Sequence, residues 1–250
     1  MEIIFFICLC FLNFFTFKKI NFLTDALNLY DVPDNNRKIH LKKVPKIGGL
    51  ILYLNYIIYL IFNFLNNYNI EDLKLFLIIT LSFFISLQND KKEIKPTYRL
   101  IIFYLIFFVW IIIDNGMLIQ NLEFKFNNIN INLGLLGYLI TPLFILIFFN
   151  ALNLYDGVNL QSVTYILIFS LFFYLNNIDI SAYIFLIIFI LIFVFFNFKN
   201  QIFFGDSGIT IFAIIISYLI ITNYNKQGNL FCDEIFLIMF LPGIDMLRVY

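Results

Sequence analysis

Long runs of apolar side chains with no charge among them recur along nearly the whole chain, and they leave few folds open. LGLLGYLITPLFILIFF at 133–149 and YIFLIIFILIFVFF at 183–196 carry no charged residue. In hydrocarbon every backbone N–H and C=O must be satisfied within the segment, so such runs cross a membrane as helices. The chain is 62% hydrophobic and 13% charged, against about 25% charged for a soluble domain. The pattern predicts an all-α, polytopic integral membrane protein, folded as a single domain over residues 1–250. About nine transmembrane helices are expected, at 3–17, 48–66, 73–88, 98–114, 133–150, 162–176, 181–198, 207–224 and 234–248.

Net charge is zero, so its placement is what informs. Of the 16 Lys and Arg, all but Lys74, Lys125 and Lys226 fall in the loops after odd-numbered spans or at the end of the ninth. By the positive-inside rule those loops are cytoplasmic, with the N-terminus outside and the C-terminus cytoplasmic. The first span has Glu2 before it and Lys18 and Lys19 after it, the reverse of a cleaved signal peptide. Cys8, Cys10 and Cys232 have no metal-site or disulfide spacing and read as packing or lipid-facing residues. Tyr98, Tyr104 and Trp110 lie along one span and are expected to face lipid or the interface.

The polar residues gather on the same side. DVPDNNRKIHLKKVPKIGG (31–49), NDKKEIKPTYR (89–99), FFNALNLYDGVNLQS (148–162), NFKNQIFFGDSG (197–208) and LPGIDMLRVY (241–250) all lie at cytoplasmic ends, whereas the outer loops are short and ordinary. Asp156, Asp206 and Asp245 each sit at or inside a span end, a depth that is costly for a carboxylate unless it is paired or holds a cation. One such acid reads most simply as a helix cap; three on one face, beside a basic loop, read as a site. Carboxylates beside Asn amides suit a hard cation such as Mg²⁺, which takes one or two carboxylates plus substrate phosphates. Arg37, Lys38, His40, Lys43 and Lys46 supply cationic or potentially cationic groups for phosphate oxygens. The residues thus point to a Mg²⁺–phosphate site at the cytoplasmic membrane surface, and they do not name the phosphorylated substrate.

At these residues the chain resembles the polyprenyl-phosphate N-acetylhexosamine-1-phosphate transferases (MraY/WecA-like, of the glycosyltransferase family 4 type). DVPDNNRKIHLKKVPKIGG is similar to that family's D-x-P-x-x-R-K-x-H…P-x-x-G-G loop, NALNLYDGVN to N-A-x-N-x-x-D-G-x-[DN], FFGDSG to F-x-G-D-x-G-S, and LPGIDMLRV to P-x-x-D-x-x-R-V. The resemblance covers essentially the whole chain, with the four motifs in order on one face. It implies transfer of a sugar-1-phosphate from a UDP-N-acetylhexosamine to a polyprenyl (undecaprenyl) phosphate in the cytoplasmic (inner) membrane, with Mg²⁺ or Mn²⁺ as cofactor, initiating a cell-envelope glycan. No nucleic-acid partner is expected, and a homodimer is left open. By resemblance Asp206 is the leading metal ligand with Asp156 beside it, and Asn89, Asp90, Asp156 and Asp206 form the catalytic set. Arg37, Lys38, His40 and Lys46 meet phosphates, Asn150, Asn153 and Asp156 line the centre, Asn159 and Asn197 hold the uridine, and Gly157, Asp245 and Arg248 complete the substrate-binding set.

Two departures are visible. The family's Asp-Asp pair after the third span reads Asn89-Asp90 here, and Asn supplies neither a base nor a second negative charge. The family's H-x-H-H loop, which follows the P-x-x-D-x-x-R element, has no counterpart: His40 is the only histidine. The expectation is either a fragment or a protein lacking that loop and the last helices. The competing readings are a relative that binds polyprenyl phosphate without catalysis, and a polytopic transporter. Transporters place coupling sites near the midplane and often show repeats, whereas these clusters sit at one surface.

Overall fold

The helix Gly205–Asn225 carries apolar residues on every side, and a helix of that kind must be enclosed by others. In the computed structural model every residue from Ser207 to Ser217 is buried. The structure describes residues 2–33, 42–66, 69–157, 160–178, 184–226 and 230–249. In chain order the helices are α1 (Glu2–Lys18), α2 (Ile20–Leu27), α3 (Gly48–Asn66), α4 (Ile70–Lys91), α5 (Pro96–Ile113), α6 (Gly137–Tyr155), α7 (Gln161–Leu175), α8 (Ile184–Phe198), α9 (Gly205–Asn225) and α10 (Cys232–Val249). α3, α4 and α6 pack directly on α9.

Each of the nine expected apolar segments contains an α-helix among its described residues, the second with the expected bounds at Gly48–Asn66. Among the described residues four helical stretches are long and apolar enough to cross a membrane: Gly48–Asn66, Pro96–Ile113, Gly134–Tyr155 and Gly205–Asn225. A fifth is reached if Phe5–Lys18 and Ile20–Leu27, bent by 70° at Lys19, count as one span. The others fall short for separate reasons. α4 begins with Glu71, Asp72 and Lys74 and ends with Asp90 and Lys91, and α7 and α8 have 15 residues each. Helix ends follow local chemistry: Asn69 caps α4 by accepting from Glu71 N at 3.0 Å, and Pro96 opens α5, where its missing N–H has no cost.

Two short antiparallel ribbons were not legible as strands. β1 (Tyr30–Asp31) pairs with β2 (Val44–Pro45), and β3 (Asn121–Phe124) with β4 (Ile129–Asn132). The first ribbon leads the chain into α3 through a zipper of backbone bonds: Phe203 N donates to Pro45 O, Gly48 N to Phe203 O and Gly49 N to Phe204 O, at 2.8, 3.1 and 2.9 Å. The second lies at the opposite end of the bundle, where Lys125 N and Phe126 N donate to the Asp233 carboxylate at the start of α10.

Apolar stripes orient the helices. α4 buries Leu75, Ile78, Ile79, Ser82, Phe83, Ser86 and Asp90, a single face at helical spacing that ends in a serine and a carboxylate. Between α1 and α3 the fully buried Asn13 and Asn55 exchange side-chain amide bonds at 2.7 and 3.0 Å, which satisfies both and sets the register of the pair. Trp110 departs from expectation. It is fully buried and stacked on Tyr218 of α9, ring centroids 6.4 Å apart, because it extends the Phe103–Phe107 stripe that faces the bundle. Tyr98 is exposed, as expected.

Candidate active site

The ends of α4 and α6 and the starts of α5 and α9 meet at one end of the bundle, around the carboxylate of Asp206. Asp206 lies in the first turn of α9, where an acid favours the positive end of the helix dipole. It does not cap that helix. Its side chain accepts from three others: Asn89 Nδ2 on Oδ2, Arg99 Nη1 on Oδ2 at 2.8 Å, and Asn153 Nδ2 on Oδ1 at 3.1 Å. Arg99 Nη2 also donates to Asn153 Oδ1 at 3.2 Å, closing a ring of Asp206, Arg99 and Asn153.

The cap comes from α4. Asp90 Oδ1 accepts from Asp206 N at 2.9 Å and Oδ2 from Ser207 N at 3.0 Å. Gly205, at φ +75°, makes this possible: a left-handed residue lets the chain turn into the helix, and a Cβ there would come within 3.0 Å of Asp90 Oδ2. Lys46, placed by the backbone zipper ahead of α3, reaches Asp90 Oδ1 at 3.5 Å and Asp31 Oδ1 at 4.0 Å. Burial pulls the Lys46 pKa down, but the surrounding Asp90, Asp206 and Asp31 charges outweigh it, so the ammonium is held more firmly than in water. Asn89 also anchors the next loop, accepting from Ile94 N at 2.7 Å.

The profile of glycosyl transferase family 4 matches residues 73–224, from the first turns of α4 to the last turn of α9, and takes in Asn89, Asp90, Arg99, Asn153 and Asp206. The chain belongs to glycosyl transferase family 4. It is similar to the undecaprenyl-phosphate alpha-N-acetylglucosaminyl 1-phosphate transferases of Salmonella typhi and Salmonella typhimurium, 25% identical over 237 residues in each case. That likeness covers 89% of this chain and 63% of each relative, so the chain spans less than two thirds of their length.

The remaining expected site residues of this family 4 protein divide into those that touch the centre and those engaged elsewhere. Asp156 caps the C-terminal end of α6 and accepts from Ser162 Oγ at the start of α7. Burial first, and then repulsion from Asp206 and Asp90, push its carboxyl up to about 7. Its folded pKa lies above the ordinary carboxylate range, so its charge costs stability progressively as pH rises from about 4 through 7 unless a cation compensates it. Asn150 Nδ2 reaches Met246 Sδ of α10 at 3.9 Å. Asn197 is fully engaged by backbone, accepting from Leu160 N and donating to Ile202 O, each at 2.8 Å. Its amide therefore shapes the entry into α7, where Leu160 sits at φ 67°. Asp245 pairs with Arg248 at 2.7 Å within α10. Gly157 is exposed with ordinary space for a methyl group. Arg37, Lys38, His40 and Asn159 lie outside the described residues.

Among the described residues no three His, Cys, Asp or Glu side chains gather closely enough to hold a metal by themselves. Asp156 and Asp206 accept from different partners, Ser162 and Arg99, while the Asp206 charge still reaches the Asp156 carboxyl. The donors that do face one cation are a carboxylate oxygen of Asp206 and the amide oxygen of Asn153, and the cation between them is the Arg99 guanidinium. Arg99 is the site residue that sequence reasoning missed; it counted only as one of the cytoplasmic charges. The available signal was an Arg one turn inside an apolar helix, where a charge faces the interior or a partner.

Proposed function

We propose that this chain transfers N-acetylhexosamine-1-phosphate from a UDP-sugar to undecaprenyl or a related polyprenyl phosphate at the cytoplasmic face of the inner membrane. The topology that goes with this is nine crossings with the N-terminus outside. A phosphate oxygen of the lipid attacks the sugar-linked phosphorus, a new diphosphate bond forms, the old one breaks, and UMP leaves. The observation that carries the reading is the convergence of Asp206, Asn153, Asn89 and Arg99 at the bundle end that also holds Lys46 and Asp90. Phosphoryl transfer depends mainly on positioning and charge neutralisation, which suits such a set.

The oxygens of Asp206 and Asn153, already resting on a cation, fit a divalent ion that completes its shell with water and substrate phosphates. When bound, Mg²⁺ or Mn²⁺ would neutralise the diphosphate charge and polarise its phosphorus. The chain's own residues do the rest. Asp90 fixes the first turn of α9, and with it the direction of the Asp206 carboxylate. Lys46, 23% exposed at its side chain, presents an ammonium to an incoming phosphate. Asn89 orients Asp206 by donating to it, where a second carboxylate would repel it. Asp156 and Ser162 hold the entrance to α7.

Purified full-length gene product, given undecaprenyl phosphate and UDP-N-acetylglucosamine or UDP-N-acetylgalactosamine with Mg²⁺, is expected to release UMP, and excess EDTA is expected to stop it. Full turnover in EDTA would remove the metal from the mechanism. Substrate binding without any UMP release would favour the non-catalytic reading that Asn89 suggests. Topology has its own check. Cys introduced at the exposed positions 42 and 92 should be labelled from the cytoplasmic side, and Cys at the exposed position 71 only from outside. Labelling of 42 and 92 from opposite faces would overturn the orientation.

A further inference from the structure

Arg99 is held at Asp206 by charge more than by a full set of hydrogen bonds. Nη1 and Nη2 reach Asp206 Oδ2 and Asn153 Oδ1 at 2.8 and 3.2 Å. Its Nε is buried without a hydrogen-bond partner among the described residues. A guanidinium has five N–H donors, and a buried charged donor left unsatisfied is costly. The side chain is 15% exposed and lies 6.0 Å over the Phe149 ring, so water compensates little. Among the described residues Asp206, 26% exposed at its side chain, has no other cationic partner in contact. The two oxygens that Arg99 covers are hard donors, one anionic and one neutral, of the kind a small divalent cation takes. A guanidinium and a divalent ion compete for these two oxygens, because each draws on the same lone pairs and the same negative charge.

Resting on the metal-assisted transferase reading, we propose that Arg99 is the resident counter-cation of the Asp206 centre, displaced when the divalent metal binds. The exchange keeps the Asp206 carboxylate compensated in both states. It also frees a guanidinium whose two paired N–H edges can grip phosphate oxygens bidentately. Metal and nucleotide diphosphate then bind with positive coupling, since each favours the state in which Arg99 has left Asp206.

The test is Mn²⁺ affinity without nucleotide, measured by electron paramagnetic resonance on the detergent-purified full-length protein. Arg99→Met removes the competitor while keeping the apolar stem. It is expected to bind Mn²⁺ about tenfold or more tightly than the natural protein, the worth of one hydrogen bond to a charged group. Equal or weaker binding by Arg99→Met would show that Arg99 does not compete, and would overturn the exchange. Arg99→Lys keeps the charge but cannot span two oxygens as a fork, so an intermediate gain of about threefold is expected. It decides the matter if Arg99→Met does not fold, and no gain there is again fatal. Asp206→Asn should abolish the tight binding in either background; retention would place the metal elsewhere and remove the proposal. None of these readings depends on UMP release, so a failure of the transferase reading shows separately.

Discussion

Asp206→Asn is expected to lower sugar-1-phosphate transfer about a thousandfold or more, on the order of 4 kcal/mol in transition-state stabilisation. The size rests on what the carboxylate contacts. An Asp that merely capped α9 would be replaced by Asn at little cost, since both cap well. Here the cap is Asp90, whose two oxygens accept from Asp206 N and Ser207 N, so the Asp206 side chain is free of that duty. Asn at 206 keeps one oxygen for Arg99 or Asn153, and the fold should survive. What it loses is the negative charge that a divalent ion needs. The rates are to be compared in membranes carrying the full coding sequence, at matched expression and matched thermal stability. A variant within about threefold of the natural protein, roughly 0.7 kcal/mol, would remove Asp206 from the centre of the mechanism.

The second large effect is expected at Gly49, and it is structural. A Cβ on Gly49 would lie 2.2 Å from Gly208 N, 2.4 Å from Ser207 Oγ and 2.7 Å from Ser207 C. Two of these are backbone atoms of the first turn of α9, so no rotamer change relieves the contact. Gly49→Ala must push α3 and α9 apart where Asp90 and Asp206 are being aligned. Overpacking of this kind costs about 3 kcal/mol, which lowers the midpoint of thermal unfolding by ~5–10 °C. Transfer should fall with it, because the same shift moves the Asp206 carboxylate. Thermal inactivation in detergent, followed by size-exclusion chromatography, measures it. Gly243→Ala is the control: its Cβ would meet nothing within 4 Å and would improve helix propensity, so its midpoint should hold or rise. If Gly49→Ala behaves like Gly243→Ala, the close approach of α3 to α9 is wrong.

Much of the site was legible because its residue types are expensive where they occur. Asp206, Asn153 and Asn89 stood out as polar groups at the ends of apolar runs, and the structure brings all three together. The double glycine after Lys46 was legible as part of a motif, but its use as a contact with Ser207 and Gly208 was not. Asp90 and Asp206 looked alike in the sequence and turn out to differ, one bound by backbone N–H groups and the other by side chains. Arg99 looked like a topology signal and Trp110 like an interfacial residue, and both face the interior.

The sequence by itself determined where the helices lie and which of their ends carry the polar residues. Those properties follow from local chemistry: apolar runs must satisfy their own backbone bonds, and charges stay near an aqueous surface. The tertiary structure decided which polar group meets which. The bonds of Asp206 join residues 53, 107 and 117 positions apart. Their pairing depends on how far each helix is rotated against α9, and that rotation is set by side-chain packing along the whole buried length of the bundle, of which no single segment carries a local trace.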